Sequence, residues 1–241
     1  MLDPLRERPD RAGILLDFDG SLSPIVARPE QAAPVAGATE VLAALVERFQ
    51  LVAVVSGRAS AELIERIGVP GLVYEGLYGL EDAASELTHA IRPRVDSAAG
   101  IVPEAWVEDK GVSLAVHYRQ APDPTAARRT LVAMLDPVAI EGGMELIEGK
   151  MVLELVPPDR PMKGGVVERL VGTAALDAVL FAGDDVADID AFAALGRLTA
   201  GGLHVVRVAV LGLETPPELA AAADLRVEGP AGLVELLRTL V

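Results

Sequence analysis

The chain contains no cysteine, which removes disulfides, thiolate zinc sites and cysteine nucleophiles at once. Any bound metal is therefore expected on oxygen ligands. Long apolar runs are also missing. Stretches such as 52–55, and 205–210 with its interrupting Arg207, fall far short of the roughly 20 residues that a membrane span requires. Residues 1–11 carry mixed charges with no useful apolar stretch behind them, so they do not read as a signal peptide, and a cytoplasmic location is the expectation. Positive charge is scarce as well: 21 Lys and Arg stand against 36 Asp and Glu, a formal net charge of −15. Nucleic-acid backbones are held by surplus Lys and Arg, so this balance argues against such a partner. A GxxxxGK[ST] loop is absent, which weakens any nucleotide-binding reading. There is no internal repeat.

What remains is a chain of 241 residues, 51% of them apolar, enough to bury a sizeable core in one large domain or two small ones. From residue 12 onward, short β-rich runs alternate with helical patterns. Strands are expected at 13–17, 51–55 and 72–75, with helices at 35–49 and 59–68 between them. The same rhythm resumes after Lys163, with helix 164–173, strand 178–182, helix 188–195, strand 204–210 and helices near 216–223 and 230–240. This is the order of a parallel α/β sheet. Between the halves the rhythm changes. A helix at 85–99, strand 112–118, helix 124–136 and strands at 144–147 and 151–156, with a hairpin at Glu148-Gly149-Lys150, predict a small α+β insert with an open-faced antiparallel sheet. Pro157, Pro158 and Pro161 read as the return hinge.

Chemistry concentrates at the ends of the expected strands. The run Ile14-Leu15-Leu16 ends in Asp17-Phe18-Asp19-Gly20-Ser21. Asp17 is thereby placed where ligands bind in open α/β sheets, and Gly20 permits a sharp turn just beyond it. A carboxylate there can act as a nucleophile on phosphorus, and Asp19, two residues on, can serve as the general acid and base. Alone, such a string more often marks a turn. Ser56-Gly57-Arg58 follows the second strand, where the Ser56 hydroxyl and the Gly57 amide can hold a phosphoryl oxygen. Lys163, ahead of a helix, can place an ammonium on both the phosphate and Asp17; in isolation it would be a surface lysine. Gly183-Asp184-Asp185-Val186-Ala187-Asp188 closes another strand. Converging carboxylates call for a hard cation, and oxygen-only ligation points to Mg²⁺. Asp184 is the better ligand, whereas Asp185 and Asp188 can instead cap the following helix. In the insert, Glu108, Asp109 and Lys110 precede a strand that His117-Tyr118-Arg119 ends, and Glu154 lies within another. Carboxylates and an amine so placed suit a polyhydroxylated substrate, because each sugar hydroxyl both donates and accepts, whereas His117 reads equally as a structural residue. A strand glutamate on an open sheet face is the plainer alternative.

In this order the four strand-end motifs resemble those of the haloacid-dehalogenase-like phosphatases. With the insert strings Val107-Glu108-Asp109-Lys110-Gly111, His117-Tyr118-Arg119-Gln120 and Gly149-Lys150-Met151-Val152-Leu153-Glu154 included, residues 13–192 resemble the trehalose-6-phosphate phosphatase family. The resemblance implies a Rossmann-like parallel-sheet core, 1–84 and 160–241, with an inserted α+β cap, 85–159, acting as a substrate lid. It implies hydrolysis of trehalose 6-phosphate through an aspartyl-phosphate, with Asp17 as nucleophile, Asp19 as acid/base, and Ser56, Gly57 and Lys163 on the phosphate. Asp17, the Asp19 carbonyl and Asp184 would hold Mg²⁺, supported by Asp185 and Asp188. Arg58, Glu108, Lys110 and Glu154 would bind substrate. The expected partner is a small-molecule sugar phosphate, with a trehalose-6-phosphate synthase as a further possibility and a monomer as the default. Alternatives are a phosphatase of another glycosyl or cyclitol phosphate, or a non-catalytic sugar-phosphate-binding module of a synthase complex. The family usually has threonine where Ser21 stands, histidine where Tyr78 stands, and threonine and glutamate at Ala187 and Ile189.

Overall fold

A computed structural model of the chain describes residues 1–77, 86–158 and 162–241. The chain divides into two compact units, Met1–Gly79 with Pro161–Val241, and Leu80–Arg160.

The first unit is built on six strands: β1 (Ala12–Leu16), β2 (Leu51–Val55), β3 (Val73–Glu75), β8 (Ala178–Gly183), β9 (His204–Leu211) and β10 (Leu225–Glu228). They lie in the order β10-β9-β8-β1-β2-β3, every pair parallel. The reason is legible in β1, five apolar or small residues all buried. A parallel strand covered on both faces needs no polar alternation. Successive side chains leave it on opposite sides, so Ile14 and Leu16 join one core with Val52, Val54, Leu180 and Val208, while Leu15 joins the other with Ala53, Val55, Val179 and Phe181. The first core is closed by α2 (Ala38–Arg48) and α9 (Gly229–Arg238), the second by α6 (Lys163–Ala174) and α7 (Val186–Leu198). Chain order runs outward from β1 to β3 on one side and from β8 to β10 on the other. The order therefore reverses between β1 and β8, the kind of switch point where α/β sheets bind ligands.

The second unit carries a four-stranded antiparallel sheet in the order β4-β5-β7-β6, formed by β4 (Trp106–Asp109), β5 (Leu114–His117), β6 (Glu145–Gly149) and β7 (Val152–Val156). Helices α4 (Glu86–Ala99) and α5 (Pro124–Glu141) cover one face. There Leu114, Val116, Leu153 and Leu155 pack with Val95, Leu131 and Leu135 in a core of their own. The unit thus has the open-faced antiparallel sheet expected from the sequence.

Several boundaries differ from expectation, each for a physical reason. Strand β1 stops at Leu16, and Asp17 begins the loop, although its amide still donates to the Ala182 carbonyl at 2.9 Å. Helix α5 runs through Pro137 to Glu141. The amide lost at Pro137 is offset by burial of Leu135, Val138 and Ala139. No strand was expected at β4, because Trp106-Val107-Glu108-Asp109 is short and acidic, and pairing with β5 is what makes it one. The short β10 and the five-residue α1 (Asp3–Glu7) also lacked a periodic signal. The hairpin turn falls one residue later than expected, on Lys150-Met151, with Gly149 paired to Val152 and Met151 at a φ of 59°. Pro161 and Tyr78 lie outside the described residues.

Candidate active site

Beyond Leu16 the chain leaves the sheet and doubles back at once. The Phe18 carbonyl accepts from the amides of Leu22 and Ser23 at 2.9 Å, and the Gly20 amide donates to the Ser23 carbonyl at 2.7 Å. Gly20 has a φ of +91°, and a Cβ there would lie 2.1 Å from Oδ2 of Asp184. Glycine is required both for the left-handed turn and for the carboxylate that sits against it. Ser21, in place of the family threonine, donates its hydroxyl to Asp184 Oδ1 at 3.3 Å.

The ends of β1 and β8 and the first turns of α6 and α7 bring four charged groups together. Lys163 Nζ donates to Asp17 Oδ1 and to Asp188 Oδ1, both at 2.6 Å. Asp188 Oδ2 accepts from the amides of Asp184 and Asp185, both at 2.9 Å. Asp17, Lys163, Asp184 and Asp188 are all buried, Asp188 completely. Gly183 makes room for this bracing, since a Cβ there would meet Asp188 Cγ at 2.2 Å. Lys163 itself is aimed by the start of α6, where the Gly164 amide donates to Asp190 Oδ2 at 2.7 Å.

One carboxylate oxygen from each of Asp17, Asp184 and Asp188 lies within 4.8 Å of the others. Burial pushes the Asp17 carboxyl well above the usual range; Lys163 opposes this, while Asp188 and Asp184 add to it. Three carboxylates facing one ammonium leave an excess of negative charge in a dry site, and an all-oxygen donor set of this kind fits a hard divalent cation. Both Asp188 oxygens are taken up by Lys163 and the two loop amides. The helix-capping alternative also describes its geometry: Asp185 is the N-cap of α7, and the two residues form a reciprocal capping box.

Asp19 and Arg58 form a second pair. Arg58 grips the Asp19 carboxylate with both arms of its fork, Nε to Oδ2 at 2.6 Å and Nη2 to Oδ1 at 2.8 Å, and its Nη1 bonds Glu62. The guanidinium lies over the Phe18 ring, 5.4 Å from its centroid, and is itself buried while Asp19 is one-third exposed. Expected as a substrate contact, Arg58 is seen holding Asp19. Ser56 follows β2, the neighbour of β1; it is buried, and its Oγ accepts from the Arg58 amide at 3.2 Å. That bond orders the Ser56-Gly57-Arg58 turn.

In the second unit, the face of the sheet away from α4 and α5 carries the other expected residues. The register sets Glu108, Ala115, Glu154 and Ile147 in one row and Trp106, His117, Val152 and Gly149 in the next. Glu154 Oε1 accepts from Lys110 Nζ at 3.2 Å and from Ser113 Oγ at 2.5 Å. Glu108 Oε2 lies 2.7 Å from His117 Nε2. Trp106 stacks on the His117 ring at 4.3 Å with an interplanar angle of 10°. Ser113 and Trp106 escaped the sequence reading, although alternation from Glu108 and His117 places both on this face. Ile189, one of the family departures, packs against the core with Phe181 and Phe192.

With this geometry in view, the comparisons are specific. A sequence model of the family described as trehalose-phosphatase matches residues 15–218. The trehalose-phosphate phosphatase of Mycobacterium leprae is 37% identical over 220 residues, covering 80% of this chain and 50% of that protein. The C-terminal domain of trehalose-6-phosphate phosphatase from Candida albicans has the same fold, with a TM-score of 0.83, 24% identity, and coverage of 99% of this chain and 96% of that one. A haloacid dehalogenase-like hydrolase from Bacteroides thetaiotaomicron follows at a TM-score of 0.59 and 15% identity, covering 96% and 100%. The parallel core with its separate antiparallel sheet is therefore the fold of the haloacid-dehalogenase-like phosphatases. Within that class, the chain belongs to the trehalose-phosphatase family. It spans about half the length of the curated relatives it matches, 50% in the M. leprae protein.

Proposed function

We propose that the protein is a Mg²⁺-dependent phosphomonoester hydrolase that converts trehalose 6-phosphate to trehalose and phosphate. The observation that carries this reading is the buried Asp17 carboxylate, bonded to Lys163 at 2.6 Å at the sheet's switch point, with Asp19 two residues beyond it. Asp17 attacks phosphorus, and the bond from phosphorus to the sugar oxygen breaks. Asp19, once released by Arg58 and protonated from solvent, donates that proton to the sugar oxygen. Asp19 then takes a proton from water as the water oxygen attacks the aspartyl-phosphate, freeing phosphate and restoring Asp17. Lys163, the Ser56 hydroxyl and the Gly57 amide hold the phosphoryl oxygens as charge develops. Asp17, Asp184 and the Asp19 carbonyl would hold Mg²⁺, which when bound supplies charge neutralisation. Asp188 and Asp185 keep the loop and Lys163 in place. Glu108, Lys110 and Glu154 would take the sugar hydroxyls, and the second unit would serve as the substrate cap.

The net charge of −15 supports a small-molecule substrate over a nucleic acid, and among the described residues no helix is long and apolar enough to cross a membrane. A cytoplasmic monomer is the accompanying reading. The test is phosphate release from trehalose 6-phosphate, glucose 6-phosphate, sucrose 6-phosphate and p-nitrophenyl phosphate, each with Mg²⁺ and with EDTA. A large Mg²⁺-dependent preference for trehalose 6-phosphate is expected. Preference for another sugar phosphate would keep the chemistry and replace the substrate; binding without turnover of any substrate would favour the non-catalytic module of a synthase complex.

A further inference from the structure

We propose that Trp106, stacked on His117, is a pyranose-binding platform on the open face of the second unit's sheet and sets selectivity for a disaccharide over a simple phosphate ester. The inference rests on the sugar-phosphatase reading but goes beyond it, since neither ring is needed for the chemistry at Asp17. Trp106 is the only tryptophan in the chain, and it is half-buried on a strand rather than packed into the core behind the sheet. Its indole lies nearly parallel to the imidazole, 4.3 Å away at 10°, and His117 is in turn fixed by Glu108 at 2.7 Å. A flat aromatic surface is thus held rigid by its own neighbours at little further cost in side-chain entropy.

The surroundings of that surface match a sugar. One face of a pyranose is lined with C–H groups and suits an aromatic plane, whereas its rim of hydroxyls needs partners that accept and donate. The row beside Trp106 and His117 supplies Glu108 and Glu154, with Lys110 and Ser113 converging on Glu154. Among the described residues of this unit, the helices pack on the opposite face. An apolar plane bordered by two carboxylates and an ammonium is the composition of a small-molecule site, mostly apolar with a few fixed polar groups. Acidic and cationic groups in alternation favour a neutral polyol over a peptide of one charge.

Because the indole is unique, its emission reports this site alone. The full-length protein carrying Asp17→Asn, which prevents turnover, is titrated with trehalose, trehalose 6-phosphate and, as a control, inorganic phosphate. A saturable change in Trp106 emission with both sugars and none with phosphate is expected. No response to either sugar would overturn the proposal. In parallel, Trp106→Ala should raise KM for trehalose 6-phosphate roughly three- to tenfold, the scale of one lost aromatic contact. Turnover of p-nitrophenyl phosphate should stay unchanged, and Trp106→Phe should restore much of the loss. Equal impairment of both substrates, or none, would show that the stack only closes the sheet edge. If the wild-type protein hydrolyses no sugar phosphate while Trp106 still responds to trehalose, the platform stands and the phosphatase reading falls.

Discussion

At the scale of single residues, Asp17 is held in a condition it would not choose in water. Burial favours its neutral form, and only Lys163 opposes that preference against two neighbouring carboxylates. Its pKa lies higher in the folded chain than in the unfolded one, so between the two values the native state binds more protons. In that window, metal-free stability falls as pH rises, and the penalty is complete above the folded-state value. Asp17→Asn removes the proposed nucleophile and this penalty together. It should lower kcat by at least ~10⁴-fold, and thermal melts in EDTA should show a weaker loss of stability with rising pH than in the wild type. A variant that keeps normal turnover would sink the covalent mechanism, and an unchanged pH slope would show that Asp17 is not the strained group. The strand-end motifs alone brought Asp17, Lys163 and Asp184 to notice. They did not show that Arg58 holds Asp19, because an arginine after Ser-Gly reads the same whether its fork meets a phosphate or a carboxylate.

At the scale of elements, the loop between β8 and α7 is organised by Asp188 from within. This residue accepts two loop amides and Lys163 at once, which ties the loop, the helix start and Lys163 together. Asp188→Asn breaks a buried ion pair and should destabilise the protein by about 3 kcal/mol, with an activity loss that excess Mg²⁺ does not repair. Asp184→Asn should instead lose activity that is partly recovered at high Mg²⁺. Metal-activation curves for the two variants separate brace from ligand; identical curves would merge the roles. A second tie fixes the entry to β10: Arg207 bonds Asp224 with both arms of its fork, at 2.9 Å each, and its amide reaches the same carboxylate at 2.8 Å. These bonds hold the Asp224 carboxyl below the usual range. Its contribution is complete above the unfolded pKa and is lost as pH falls through the folded one. Asp224→Asn should cost about 1–2 kcal/mol near neutrality, and the gap from wild type should close on acidification, as measured by urea melts across pH. A gap that persists at low pH would assign the effect to packing.

These two elements also show why some of the fold was legible and some was not. Strands β1, β2 and β8 announce themselves because burial on both faces demands an unbroken apolar run. Strand β10, Leu225-Arg226-Val227-Glu228, lies at the sheet edge with half of its residues exposed, and its pairing to β9 rather than its composition makes it a strand. The same holds for β4. Helix α5 outran its expected end because burial of Val138 and Ala139 outweighs the local preference at Pro137. Tertiary contact decides where propensity is weak.

At the scale of the molecule, the two units have separate cores: Val95, Leu114, Leu131 and Leu155 form one, and the two layers around β1 form the others. The acidic cluster belongs wholly to the first unit, and the only tryptophan to the second. Ligand binding stabilises whatever must be folded to bind, by about 2.7 kcal/mol at a hundredfold excess over Kd. Mg²⁺ should therefore raise the melting of the first unit, followed by far-ultraviolet circular dichroism, and leave the fluorescence transition of Trp106 where it was. Asp184→Asn should abolish the shift in circular dichroism. If Trp106 melts at a temperature that moves with Mg²⁺ to the same extent, the two cores unfold as one cooperative block, and strain at the acidic cluster is shared by the sheet that would carry the sugar. If neither signal moves, the carboxylates of Asp17 and Asp184 are balanced by Lys163 alone, and the case for a divalent cation at these strand ends is lost.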